Sequence, residues 1–387
     1  MLQVTEVTTT NAFCSLRDQW NRCLASSGQN TIFLTWEWLF TWWETYGKSD
    51  QLRILICSDE TGHIVGIAPF YTTSERVFGF PLRTLRLLGS NEACSEYLDI
   101  FACPDRTRDV VDAFAIHMKP RMPQLDVLHL LDVPDQALLD SFLAQLQDGA
   151  RWHRQEWPQT TNLFLTLPAT QVAYDEASDC QKRKATLRKI RKLTREHGLS
   201  CRTVEGGSML EAAFDNFVGL HQKLWNDRGL PGMFKRQDFR RFHRVAAQRF
   251  SDSGWLRLCF LSSNAMDLAA LYGFQYGHKF YYYQSGFDPE WRTYGVGKAL
   301  LYQTIVDAIR NHLTEYDFLR GTDDYKFDFA STYRNTKELL LTRDRHVLSL
   351  YLLRNDLRRR AKGLLKQVLP AELFTRLKHV RDQVVLR

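Results

Sequence analysis

Short apolar segments with the residue types of strands recur along the chain, each bounded by a polar turn. Leu52–Ser58 and His63–Thr72 flank the turn Asp59–Gly62. Trp255–Leu261 and Met266–Gln275 repeat this arrangement around a second polar turn. The pattern therefore predicts two β-hairpins, one in each half of the chain.

The two predicted hairpins occur at corresponding places in the two halves. Leu52 and Leu256, which begin equivalent strands, are 204 residues apart. Upstream, helical segments that contain Trp20 and Trp225 correspond at a separation of 205 residues. A helix and a hairpin at nearly one separation indicate a duplicated α/β unit, with one copy in each half.

The second half continues with further elements that define the type of sheet. His278–Asp288 is an aromatic-rich strand candidate, followed by a loop with glycines and an amphipathic helix from about Gly295 to Leu313. Tyr316–Arg320 then has the pattern of a short strand. Tight hairpins followed by a strand–helix–strand unit predict an α/β fold (α+β) whose mixed sheet is antiparallel first and parallel later.

Composition is that of a globular protein large enough for two domains. The chain has 387 residues, of which 44% are hydrophobic and 25% charged, with a net charge of +7. We expect an N-terminal half over residues 1–170, a C-terminal half over 180–345 and a basic helical tail over 346–387. The eight cysteines form no C-x-x-C pair, which favours reduced thiols, no metal site and a cytoplasmic protein. The first residues lack the features of a signal peptide.

One loop has the residue types of an anion-binding site. Arg292–Gly297 fits the spacing R-x-x-G-x-G between a strand and a helix. Glycines let the backbone approach a ligand closely, and the free amides at a helix N-terminus attract a phosphate group. The alternative is an ordinary helix start, in which the glycines only form the turn and no ligand binds. The candidate pyrophosphate-binding residues are Arg292, Tyr294, Gly295, Val296, Gly297 and Lys298.

The strand order together with this loop resembles the GNAT acyltransferase superfamily. His221–Phe234, Tyr281–Leu301 and Tyr316–Phe329 look like the CelD/BioF2-like acetyltransferase domain, which is distantly related to FemAB peptidyltransferases. The resemblance implies two tandem GNAT-like units. It also implies direct transfer from acetyl-CoA or another acyl-CoA to an amine or hydroxyl. The acceptor would be a small molecule or saccharide, such as a sugar or cell-envelope or exopolysaccharide precursor.

The first half has no counterpart of the glycine loop. Its corresponding segment, Tyr97–Phe114, contains no glycine where the phosphate loop would lie. We therefore expect only the second half to bind the donor.

Three residues are candidates for catalysis. By the resemblance, Tyr325 occupies the place of a tyrosine that protonates the departing thiolate, and its phenol is suited to that role. Packing under the sheet is the alternative. Asp317 and Asp288 are candidates for a base or for positioning the acceptor. A structural salt bridge is the alternative for Asp317, and a turn cap for Asp288.

Other residues are candidates for contact with the acceptor. Helix packing is the alternative for His221 and Trp225, and strand propensity is the alternative for Tyr283. Arg320 and Lys326 could instead pair with Asp317, and Lys326 could also meet a phosphate. These candidates are His221, Trp225, Tyr283, Arg320 and Lys326.

Two segments are strongly basic. Gln181–Arg195 has eight basic residues and no acidic one, which fits a solvated helix face or contact with the donor's 3′-phosphate or an anionic acceptor. Because aromatic residues are not interleaved, we expect no DNA or RNA binding there. The tail from Tyr351 has ten Lys/Arg and three acidic residues. It fits a helix packed on its domain, a peripheral membrane contact, or a contact with a polysaccharide-synthesis complex.

Two other functions fit the same sequence. One is FemAB-like aminoacyl transfer from charged tRNA, which the duplication and the basic linker favour. The other is a catalytically silent GNAT-fold subunit of a polysaccharide-synthesis assembly. The glycine loop favours the acyl-CoA enzyme over both.

Overall fold

The computed structural model describes residues 2–47, 50–149, 151–176 and 181–368, without the side chains of 181–186, 358–359 and 361–368. Cys180, the side chains of the first part of the basic linker, and the tail beyond Val368 lie outside these described residues. None of the helices in the described ranges is both long and apolar enough to cross a bilayer. Every cysteine within them is a free thiol.

The chain forms two compact units. Unit 1 contains the residues up to Thr160 and a returning segment that starts at Asn335, and unit 2 is Thr161–Arg334. The chain passes between the units within two strands rather than in the expected linkers near residues 170 and 345. The division therefore differs from the sequence expectation.

Unit 1 begins with a strand and three helices, followed by a mixed sheet with two further helices. Trp38 and Trp42 on α3 and Phe70 on β3 are fully buried in its core. Its elements are β1 (Gln3–Val7), α1 (Thr10–Cys14), α2 (Arg17–Ser26), α3 (Trp36–Tyr46), β2 (Gln51–Ser58), β3 (Ile64–Val77), β4 (Phe80–Leu87), β5 (Phe101–Ala102), α4 (Thr107–Met118), β6 (Val127–Pro134), α5 (Leu138–Gln147) and the first part of β7 (His153–Thr166).

Unit 2 repeats the same order of strands and helices, which confirms the predicted pair of GNAT-like units in an α/β fold. Its elements are α6 (Gln171–Glu176), α7 (Gln181–His197), β8 (Ser200–Val204), α8 (Leu210–Asp227), α9 (Gln237–Asp252), β9 (Leu256–Ser263), β10 (Met266–Tyr276), β11 (Lys279–Phe287), α10 (Val296–Arg310) and β12 (Glu315–Arg320). The chain then forms β13 (Thr332–Thr342) and α11 (Arg345–Val368).

The two predicted hairpins are present, as β2–β3 and β9–β10. The second is closed by Asn264 and Ala265, both with positive φ (48° and 65°), as expected of a two-residue turn that matches the strand twist. The sheet of unit 2 has the order β7-β12-β11-β10-β9-β8, in which only β11 and β12 pair in parallel. The predicted mixed sheet is therefore confirmed.

Each unit is completed by a strand from a distant part of the sequence. β7 follows the helices of unit 1, yet its residues Asn162–Thr166 pair with β12 in unit 2. β13 follows unit 2 in sequence and pairs with β6 in unit 1. This exchange accounts for the difference between the expected and observed boundaries.

Candidate active site

The start of α10 has open main-chain amides. Gly295 precedes the helix in the left-handed conformation (φ 76°), and a Cβ built there would meet no atom within 4 Å. No described residue accepts a hydrogen bond from the amides of Val296, Gly297 or Lys298, and Gly295 provides no side-chain cap. Three free amides at the positive end of a helix have the chemistry to hold an anion, and anion binding at this loop stays a prediction.

The second glycine of the loop is closely packed against the preceding strand. A Cβ at Gly297 would lie 3.1 Å from Cδ1 of Phe287, the last residue of β11. The absent side chain therefore lets the first turn of α10 lie against the end of the preceding strand. A bulkier residue would displace the amides from this position.

The two candidate cations of the loop are paired with carboxylates. Arg292 forms an ion pair with Asp227 at the end of α8. Nζ of Lys298 lies 2.7 Å from Oδ2 of Asp328. Both basic side chains are substantially exposed, so both ion pairs are in contact with solvent and an anionic ligand could replace either carboxylate.

The C-terminal end of the basic helix α7 contacts this loop. The His197 ring lies 5.2 Å from the Trp291 ring and 5.3 Å from the Tyr294 ring, edge-on to both. Leu187 and Leu193 anchor α7 in the core of unit 2. Among the described side chains of α7, five basic ones are exposed, namely Arg188, Lys189, Arg191, Lys192 and Arg195.

A wedge opens between the parallel strands β11 and β12. They pair only through Lys279–Tyr281 and Glu315–Asp317, and no later pairing between them occurs in the described ranges. Beyond these positions, β11 leads to the open amides of α10. An extended, amide-containing ligand can add to such an unpaired strand edge.

A short chain of hydroxyl groups lies beside this wedge. The phenol oxygens of Tyr325 and Tyr282 are 3.1 Å apart, and the Tyr282 oxygen lies 2.5 Å from Oγ of Ser285. Burial, reinforced by Tyr282, raises the pKa of the Tyr325 phenol well above its usual value, so it stays protonated. The Lys298–Asp328 ion pair connects α10 to the segment that carries Tyr325. Of these hydroxyl groups, sequence analysis identified only that of Tyr325 as a site candidate.

The two candidate aspartates have structural partners. Asp317 is fully buried, and its Oδ1 accepts a hydrogen bond of 2.8 Å from the amide of Leu319, which has a positive φ of 55°. Asp288 accepts a hydrogen bond of 2.9 Å from Nζ of Lys223 and one of 3.3 Å from the amide of Glu290. Asp288 thus caps the turn before the glycine loop, and a catalytic role for either carboxylate stays a prediction.

The two candidate cations after β12 are close to that strand. Nζ of Lys326 is buried and donates to the carbonyl oxygens of Phe318 (2.9 Å) and Arg320 (2.6 Å). Lys326 therefore closes the end of β12 and fixes the turn that presents Tyr325. Arg320 is half-buried and lies opposite Asn162 of β7. Contact of either with an acceptor stays a prediction.

His221 on α8 is a buried imidazole without a hydrogen-bond partner among the described residues. It is 0% exposed, and neither ring nitrogen has a partner. Burial lowers its pKa to about 4, while the neighbouring amides of Gln222 and Gln284 act in the opposite direction. His221 is therefore neutral near pH 7.

The other two acceptor candidates lie around this imidazole. The ring of Trp225, one turn further along α8, is 5.8 Å from the His221 ring. Tyr283 is buried, and its hydroxyl lies 3.1 Å from Nε2 of His243. Sequence analysis did not identify His243 or Gln284. A β-bulge at Tyr283 directs this part of β11, and no local pattern predicts a bulge.

The equivalent wedge of unit 1 is closed by the chain itself. β4 and β6 pair in parallel at only two positions, but the amide of Leu98 then donates to the carbonyl of Asp132 on β6. The Asp99 carboxylate accepts hydrogen bonds from the amides of Leu138 and Leu139 at the start of α5. A 3₁₀ turn without glycine precedes α4. The described residues of unit 1 therefore form neither an open wedge between parallel strands nor a glycine loop before a helix, as those of unit 2 do.

Comparison with known proteins agrees with this geometry. Residues 181–327 match the family model described as "Acetyltransferase (GNAT) domain". A search of curated proteins finds no match.

Three solved structures share the fold over both units, although sequence identity is low. FemX has 11% identity and a TM-score of 0.59, with 87% of this chain and 96% of that chain covered. A conserved protein of unknown function from Bacteroides thetaiotaomicron has 12% identity and a TM-score of 0.55, with 88% and 100% covered. The C-terminal domain of a putative lysylphosphatidylglycerol synthetase from Agrobacterium fabrum has 8% identity and a TM-score of 0.53, with 88% and 95% covered.

The family match covers the elements that build the site, from α7 to the turn after Tyr325. Residues 181–327, which contain the open amides and the wedge, therefore match the model of a GNAT acetyltransferase domain.

Proposed function

We propose that unit 2 binds an acyl-CoA, in the first instance acetyl-CoA, and transfers the acyl group to an amine or hydroxyl of a saccharide or cell-envelope precursor. The observation that carries the proposal is the set of open amides at Val296, Gly297 and Lys298 below a left-handed glycine. These amides suit the pyrophosphate of coenzyme A.

The residues around the loop fit the rest of such a donor. The unpaired edge of β11 suits its amide-containing arm, because that arm has donors and acceptors spaced along an extended chain. Arg292 and Lys298 would exchange Asp227 and Asp328 for phosphate oxygens. The exposed basic face of α7 lies near enough to the loop to attract further phosphate charge.

The bound donor supplies a thioester carbonyl as the electrophile. A carbon–nitrogen or carbon–oxygen bond to the acceptor forms as the carbon–sulfur bond breaks, and the departing sulfur takes a proton. Tyr325 holds that proton on its phenol oxygen, 3.1 Å from Tyr282, whose hydroxyl supports the phenol. The proton of the acceptor's amine or hydroxyl passes to solvent water as the new bond forms.

The saccharide acceptor is supported by the resemblance of His221–Phe234 and the two later segments to CelD/BioF2-like domains. The aromatic surroundings of His221 and Trp225 are consistent with an acceptor that has an apolar ring face.

Aminoacyl transfer from charged tRNA is the second candidate. The exposed basic residues of α7 near the loop favour it, since they would attract a polyanion. The fold shared with FemX over 87% of this chain is compatible with it. We expect acetyl-CoA to bind more tightly than charged tRNA, because the open amides suit a compact diphosphate.

Isothermal titration of the full chain with acetyl-CoA tests the proposal. We expect saturable binding that Gly295→Asp weakens by about tenfold or more, because a carboxylate would face the pyrophosphate. Gly295→Asn is the matched control, since Asn and Asp both tolerate the left-handed conformation. Titration with aminoacyl-tRNA distinguishes the second candidate. Equal affinities of the Asp and Asn variants, or no binding to wild type, would contradict the donor site and favour a silent subunit.

A further inference from the structure

Helix α11 is attached to unit 1 by one face of its first turns. Tyr351 is fully buried and donates a hydrogen bond of 2.9 Å to Oε2 of Glu75. Arg354 donates to Oε1 of the same carboxylate at 2.7 Å. Val347 and Leu348 pack against the apolar cluster around Tyr351. The orientation of α11 on unit 1 is therefore fixed.

The opposite face of this helix exposes leucines. Leu353 is 50% exposed and Leu357 is 47% exposed, one helical turn apart. The sequence continues the same apolar spacing with Leu364 and Val368. A row of water-exposed leucines on one helix face indicates a surface that binds an apolar partner or a membrane.

The same segment has an excess of basic residues as large as the net charge of the whole chain. Residues 351–387 contain ten of the 51 Lys/Arg and three of the 44 Asp/Glu, an excess of seven that equals the net charge of +7. The first 350 residues are therefore neutral overall. A lipid bilayer with anionic headgroups and an apolar interior can bind both the positive charge and the exposed leucines.

Other occupants fit these observations less well. A second copy of the chain would bring two segments of the same high positive charge together, which like-charge repulsion opposes. Nucleic acid would satisfy the charge but leave the leucines in water, because its surface offers them no apolar phase.

We infer that α11 and the basic segment after it attach the protein to membranes that contain anionic lipids, with Leu353 and Leu357 entering the interface. The attachment through Leu353 and Leu357, which belong to unit 1, does not depend on the donor site of unit 2. It would hold the enzyme at the surface where acceptors attached to lipids are found.

Co-sedimentation of the full chain with vesicles tests this inference. We expect binding to vesicles of phosphatidylcholine mixed with phosphatidylglycerol that is at least about tenfold stronger than to phosphatidylcholine alone. Raising the salt concentration should weaken it. Comparable binding to both vesicles, or to neither, would overturn the inference.

Paired variants test the leucine face. Leu353→Ser with Leu357→Ser should reduce vesicle binding by about tenfold or more, because less apolar surface enters the interface. Ile116→Ser is the matched control, since Ile116 on α4 is 71% exposed and distant in sequence. Unchanged thermal unfolding of the variants shows that the fold is retained. Retained vesicle binding by the leucine variant, or a leucine-dependent dimer in light scattering, would exclude the membrane contact.

Discussion

The phenol oxygen of Tyr325 lies 3.1 Å from that of Tyr282, which in turn contacts Oγ of Ser285 at 2.5 Å. A residue of the loop after β12 is therefore tied to two residues of β11. These are the two strands whose divergence forms the wedge. The arrangement places a protonated phenol beside the proposed path of the donor.

Replacement of Tyr325 tests its role as the proton donor. We expect Tyr325→Phe to reduce kcat by roughly 10²–10⁴-fold while the Kd for acetyl-CoA is unchanged, because only the acidic proton is lost. Steady-state transfer rates and isothermal titration measure the two quantities. Tyr333→Phe is a control at an exposed tyrosine. A normal kcat in Tyr325→Phe would assign Tyr325 to packing alone.

Removal of Asp227 should free Arg292 for the donor. We expect Asp227→Asn to tighten acetyl-CoA binding by up to about fivefold, because the arginine no longer shares its charge with a carboxylate. The gain should diminish at high salt. Asp215→Asn is the control on the same helix, since Asp215 pairs with Arg244 instead. Weaker binding of acetyl-CoA by Asp227→Asn would show that Asp227 positions Arg292 for the donor and does not compete with the donor for it.

The close approach of α8 and β11 depends on Gly286. A Cβ there would lie 2.3 Å from the backbone nitrogen of His221, so neither the helix nor the strand could stay in place. We expect Gly286→Ala to lower the free energy of unfolding by about 3 kcal/mol or more. Gly219→Ala, on an open part of α8, should raise it by about 0.5–1 kcal/mol. Urea unfolding measures both, and similar values for the two variants would contradict this packing.

The half-buried carboxylate of Glu75 stabilises unit 1 through its ion pairs. It contacts Arg86 at 2.9 Å, as well as Tyr351 and Arg354 of α11. We expect Glu75→Gln to reduce the free energy of unfolding by roughly 3–5 kcal/mol, because the buried Arg86 loses its counter-charge. Glu211→Gln, in an exposed ion pair, should cost about 1 kcal/mol or less.

Acid should reduce the difference in stability between wild type and Glu75→Gln. Burial acts to raise the pKa of Glu75, but His129 and Arg86 outweigh it and hold the pKa far below its usual value. The stabilisation is therefore complete above the unfolded pKa of about 4.3. It decreases as the pH falls below that value and is lost fully only when the pH falls through the much lower folded pKa. Urea unfolding at about pH 7 and about pH 3.5 measures the change. A difference that stays constant with pH would show that shape rather than charge matters at this position.

Local patterns predicted the elements near the candidate site well. The hairpins, the aromatic strand and the glycine loop were placed within a few residues, because period-two alternation and turn residues are local properties. α10 ends at Arg310 rather than near Leu313. The phosphate loop was identifiable because its glycines have a conformational role that other residues fill poorly, as the φ of 76° at Gly295 shows.

The remaining features depend on contacts between distant residues. The pairing of Phe164 with Asp317 joins residues more than 150 positions apart, and neither neighbourhood in the sequence specifies the other. The partner of Asp288, Lys223, belongs to a helix 65 residues away and could not be inferred from the turn itself. Unit boundaries and side-chain partners therefore required the structure.

The exchange of β7 and β13 has a consequence for the nascent chain. A ribosome makes β6 long before Thr336–Thr342, so the edge of β6 that β13 will cover stays unpaired while all of unit 2 is synthesised. By contrast, β7 is already available when β12 emerges. The half that is translated first is thus the half that finishes folding last.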